Sequence, residues 1–111
     1  MTSNREDAFY IETTGLPTPT VTKYDVGGNI LATYNPTGGF ITLMCVSPDD
    51  AILYYSVLSG TAIKRWDVVN NVAMSDLTTL PAAGNQTEML CLADGSVVIL
   101  IPSLYRVLRY S

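Results

Sequence analysis

Histidine is absent from this chain of 111 residues. Its absence removes Ser-His-Asp and Cys-His nucleophilic catalysis and every histidine-ligated zinc site. Charge is scarce as well. Asp, Glu, Lys and Arg make up 14% of the chain, against about 25% in an ordinary soluble domain. More of the surface is therefore expected to be covered than a small monomer covers by itself. Positive charge is the scarcer sign, with six basic residues against ten acidic ones and a net charge of −4. Such a chain lacks the basic field that displaces counterions from nucleic-acid phosphates or holds an anionic lipid surface, so neither nucleic acid nor membrane is an expected partner. No apolar run reaches the roughly 18 residues of a membrane helix. The longest, Ile41 to Val46 and Val97 to Ile101, are strand-sized. Residues 1–7 are polar, without the apolar stretch of a signal peptide. The paired glycines Gly27-Gly28 and Gly38-Gly39 belong to no phosphate-binding motif, and no helical periodicity of useful length is present.

Cysteine is limited to Cys45 and Cys91. Neither has a CxxC or histidine partner, so no metal site is expected. Each lies in an apolar, strand-like run. The preferred reading is two small buried apolar side chains; a disulfide and a reactive thiol are the alternatives.

What the chain does contain is an internal repeat. Val21-Thr-Lys-Tyr-Asp-Val26 matches Ile63-Lys-Arg-Trp-Asp-Val68, and Val107-Leu-Arg-Tyr110 follows both. The aromatic anchors are Tyr24, Trp66 and Tyr110. After the first two comes a turn, Gly27-Gly-Asn29 or Val69-Asn-Asn71, of residues that tolerate positive φ. Before the last two comes an apolar hairpin, with Ser47-Pro-Asp-Asp50 or Ala93-Asp-Gly95 as its turn. Cys45 and Cys91 fall at matching positions of this repeat. Short strands with frequent turn signals predict an all-β fold. Written as strands a to d, the middle unit is complete: Phe40–Val46, Ile52–Ser56, Ala62–Val68 and Val72–Leu77. The first unit has b, c and d (Phe9–Thr13, Thr20–Val26, Ile30–Tyr34). The last has a, b and c (Glu88–Leu92, Val97–Ile101, Arg106–Tyr110).

A four-stranded repeat of this length resembles a β-propeller blade. Ser47-Pro-Asp-Asp50, Ile52-Leu-Tyr-Tyr55 and Ile63-Lys-Arg-Trp-Asp-Val68 are similar to WD40-type blades. Asp94-Gly-Ser-Val-Val98 with Arg106-Val-Leu-Arg-Tyr110 is closer to NHL or lactonase-like blades. The resemblance implies four-stranded antiparallel blades, two and a half to three per chain. It divides one domain into a polar tail (1–7), an incomplete first blade (8–39), a complete second blade (40–81) and an incomplete third (82–111). Met44 to Val46 and Val97 to Ile101 read as strands covered on both faces, because such strands are continuously apolar.

Propellers have about four to eight blades, so three leave an open arc with an apolar face at each end. Self-association is the expected remedy, a dimer giving about six blades; the alternative is that further blades of a longer propeller close the ring. The competing architecture is a ten-stranded sandwich or barrel closed on itself. Function is expected to be non-enzymatic, a module for protein interaction or assembly, and blades of this kind also occur in structural proteins of bacteriophages. A carbohydrate- or small-molecule-binding propeller and a lactonase-like hydrolase are the other two readings. Asp25, Asp49, Asp50, Asp67 and Asp94 all fall in turns, where Asp bonds its own backbone. No catalytic residue, metal ligand or cofactor is assigned. Ligand contacts, if present, are expected on one loop face, at Pro17, Thr18, Asn35, Asn85 and Tyr105.

Overall fold

The computed structural model describes residues 2–4, 8–13, 20–37, 39–57, 60–79, 88–101 and 106–110. These residues form antiparallel β-structure, with no helix among them. Sheet I contains β1 (Thr2–Asn4), β2 (Ala8–Thr13), β3 (Thr20–Asp25) and β4 (Ile30–Tyr34) in that order. Sheet II contains β5 (Ile41–Val46), β6 (Ile52–Val57), β7 (Ala62–Asp67) and β8 (Val72–Ala73), with β9 (Thr78–Thr79) also paired to β7. Sheet III contains β10 (Glu88–Cys91), β11 (Val97–Ile101) and β12 (Arg106–Tyr110). The strands thus divide into three meanders rather than one closed barrel.

Two expectations about the strands change. Residues 1–7 are not simply a tail, because Thr2–Asn4 pairs with β2 and gives sheet I a first strand. Val72–Leu77 is not one continuous strand. It breaks after Ala73 and resumes pairing with β7 at Thr78. The break is held by Arg65, whose Nε donates to the Ser75 carbonyl at 2.8 Å and whose guanidinium also donates to Ser75 Oγ at 2.9 Å.

The registers of the three sheets superimpose rung by rung. Asn4, Phe9 and Tyr24 lie opposite one another in sheet I. The same rung is Val46, Leu53 and Trp66 in sheet II, and Cys91, Val97 and Tyr110 in sheet III. The next rung is Ser3, Tyr10 and Lys23; then Cys45, Tyr54 and Arg65; then Leu90, Val98 and Arg109. Successive rungs face opposite sides of a sheet, because side chains alternate along a strand.

That alternation sorts the core into two layers. Val46, Leu53 and Trp66 pack with Tyr10, Val21 and Tyr34 of sheet I. Cys45, Tyr54 and Ile63 pack with Met89, Val97 and Ile99 of sheet III. Sheet II therefore lies between the other two, with β5 in contact with both β1 and β10. Its continuous apolar runs follow from this position. Leu43 to Val46 and Leu53 to Val57 are buried on both faces. Each large apolar side chain buried in this way contributes about 1.5–3 kcal/mol, so the two layers are the main source of cohesion.

Candidate functional site

Asp25 Oδ1 accepts from the backbone N–H of Gly27 and Asn29, both at 2.9 Å. Asp67 Oδ1 accepts from Val69 and Asn70 at 2.9 and 3.0 Å. These bonds favour the ionised form. Asp25 is held below the ordinary carboxylate range chiefly by the Asn29 N–H, and Asp67 by the Asn70 N–H. Asp94 is lowered first by the Ser96 hydroxyl, then by the Ser96 N–H, with Arg109 adding to both. Arg109 pairs with Asp94. Asp49 accepts from Ser47 Oγ at 2.6 Å and from the Ala51 N–H at 3.2 Å. Turn chemistry thus accounts for these four carboxylates.

Asp50 does something different. Its backbone N–H stays in the turn, donating to the Ser47 carbonyl at 2.9 Å, while its carboxylate reaches out to join sheets II and I. Tyr10 Oη donates to Asp50 Oδ1 at 2.7 Å and Lys23 Nζ donates to Oδ2 at 2.7 Å. The Lys23 ammonium also lies 5.6 Å from the centre of the Tyr10 ring. Asp50 holds φ at 63°, a left-handed conformation. Gly95 takes the corresponding place in the turn of sheet III, at φ 92°.

A cleft of about 290 Å³ opens between the turns of sheets II and III. Ser47, Asp49, Tyr54 and Asp94 contribute to its lining. Its carboxylates are those already committed to the turns and to Arg109, so the cleft offers no converging set of unused polar groups. Among the described residues, no group of three or more His, Cys, Asp or Glu is placed to hold a metal ion.

Of the expected loop-face contacts, Asn35 is exposed and its amide donates to Thr20 Oγ1 at 3.3 Å. Pro17, Thr18, Asn85 and Tyr105 lie outside the described residues. The anchors are better defined. Trp66 is buried between sheets I and II, and its indole N–H donates to Asn71 Oδ1 at 3.1 Å. Tyr110 packs into the second layer. Tyr24 stacks on Phe9 with ring centres 5.4 Å apart and stays half-buried.

The cysteines correct the sequence reading. Cys45 and Cys91 form a disulfide, with Cα atoms 5.7 Å apart. They do not occupy matching positions: Cys91 shares its rung with Val46, one residue beyond Cys45. Matching positions would face the same way on successive sheets. The one-residue offset turns Cys45 forward and Cys91 backward, into the same layer.

The remaining feature is apolar and lies at the two ends of the stack. On sheet III, Leu90, Leu100 and Val107 face away from sheet II and are exposed, with Val98 half-buried among them. On sheet I, the outward side holds the half-buried Phe9, Ile11 and Tyr24, with Ile30 and Leu31 exposed beside them. Val97 to Ile101, expected to be covered on both faces, is covered on one over its described side chains, 97–100. Val97 and Ile99 are buried, whereas Leu100 is open.

No protein-family model matches the chain, and no curated protein matches it.

Proposed function

We propose that the chain is a β-propeller-type assembly module, with each sheet acting as one blade and the ring completed by self-association. The observation that carries this reading is the uneven covering of β11. Its sequence is that of a strand buried on both faces, yet among the described residues one face has no covering sheet. Among the described residues, the same layered packing that covers sheet II on both sides covers sheets I and III on one side only. Low charge content agrees with a surface that is largely covered in the working state. Two copies bring six sheets, the one multiple of three within the usual four to eight blades.

The module is a scaffold rather than an enzyme in this reading. Its turn carboxylates are engaged in holding turns and ion pairs, and histidine is absent. Light scattering on the purified chain provides the test. The expected mass is twice the 12.0 kDa of one chain, and a uniform particle of 12.0 kDa would contradict the proposal.

A further inference from the structure

We infer that the second copy docks head to tail, with the outer face of sheet III covering the outer face of sheet I of its partner. The inference rests on the ring reading above and specifies its contact surfaces. Sheets stack in one direction through the molecule. The rung of Val46, Leu53 and Trp66 faces the preceding sheet, and so does the rung of Cys91, Val97 and Tyr110. The rung of Cys45, Tyr54 and Arg65 faces the following sheet.

These assignments identify the uncovered faces. Leu90, Val98 and Arg109 form the forward-facing rung of sheet III, equivalent to Cys45, Tyr54 and Arg65. Cys45 is 6% exposed and Leu90 51%. Ile63, three residues before Trp66, is 0% exposed, whereas Val107, three before Tyr110, is 66% exposed. Sheet I shows the reverse. Phe9 and Tyr24 form its backward-facing rung, equivalent to Leu53 and Trp66, and Asn4 holds the register position opposite Phe9 that Val46 holds opposite Leu53. One open face is therefore the forward half of an interface already used twice inside the chain, and the other is its backward half. A face-to-face pairing of two sheet III surfaces would join two forward halves. Head-to-tail contact instead continues the internal packing, and two such contacts close a two-fold ring.

The internal disulfide supplies a molecular ruler for this geometry. Cys45 on one sheet bonds Cys91 on the next. The equivalent positions across the proposed contact are Leu90 of one copy and Asn4 of the other. The full chain is prepared as two single variants, Leu90→Cys and Asn4→Cys, and each is mildly oxidised alone and mixed with the other. Peptide mapping then identifies the bridge. The expected result is a covalent dimer linked 4 to 90 in the mixture and no covalent dimer from either variant alone. A bridge from Leu90→Cys alone, or from Asn4→Cys alone, would overturn head-to-tail docking while leaving self-association intact, as would no bridge in any sample when the wild type has twice the chain mass. A wild type at the single-chain mass overturns both this inference and the ring reading. As a second measure, Val107→Asp is expected to return the mass to that of one chain with its β circular dichroism unchanged. Retention of the dimer mass would contradict the proposed contact.

Discussion

At the scale of single residues, the aspartates Asp25, Asp49, Asp67 and Asp94 stabilise turns, whereas Asp50 connects two sheets. Glycine suits its backbone conformation better, as Gly95 illustrates in the next sheet. Aspartate supplies instead the two bonds to Tyr10 and Lys23. Asp50→Ala loses those bonds and keeps the unfavourable φ, so a loss of about 1–3 kcal/mol is expected. Asp50→Gly loses the same bonds but relaxes the backbone, and should cost less. Urea denaturation of both variants checks the order. Asp25 and Asp67 make a separate prediction. Their carboxyls are lowered in the fold below the ordinary value of 3.8, so folding releases protons there. The resulting stabilisation is present in full above the unfolded value and is lost as pH falls through the lower, folded one. Thermal unfolding followed from neutral pH into acid should show that decline, and Asp25→Asn with Asp67→Asn should make it shallower. The turn role of these aspartates was legible from Asp followed by Gly-Gly-Asn or Val-Asn-Asn. The outward reach of Asp50 was not, because its partners lie 40 and 27 residues away in sequence.

At the scale of strands, periodicity and turn residues located nearly every element. Ile30–Tyr34, Val97–Ile101 and Arg106–Tyr110 agree with the expected bounds, since each is an apolar or aromatic run flanked by turn signals. β1 was hidden because Thr2, Ser3 and Asn4 carry no apolar alternation; its pairing with β2 comes from tertiary context. The interruption between β8 and β9 was hidden for a related reason. Arg65 captures Ser75, a contact no local pattern encodes. The disulfide required knowledge of register, since a shift of one residue reverses the side a strand presents. This bond joins β5 to β10 across a sequence separation of 46. Reduction, or Cys45→Ala with Cys91→Ala, is expected to lower stability by about 2–4 kcal/mol, mainly because the unfolded chain loses a constraint. Denaturation with and without reductant measures it, and no change in midpoint would show that the bond adds nothing to the second core layer.

At the scale of the whole molecule, the three-unit organisation was visible in the spacing of Tyr24, Trp66 and Tyr110. Their common place on the third strand of each sheet is visible in the registers. The surroundings of the three differ: Trp66 is enclosed between two sheets, while Tyr24 faces outward from the first. That difference follows from position in the stack, which no single repeat unit specifies. The loop-face residues proposed from sequence were the least legible part, because Gly, Pro, Thr and Asn suit a ligand contact and an idle loop equally well. The apolar end faces carry more information, since equivalent rungs inside the same chain are covered. Small-angle scattering tests the covering of those faces most directly. One chain has a radius of gyration of 13.4 Å over its Cα atoms. A closed pair is expected to scatter as a larger, disc-like particle of twice the chain mass. A curve that fits a single chain with a radius near 13.4 Å would contradict the account.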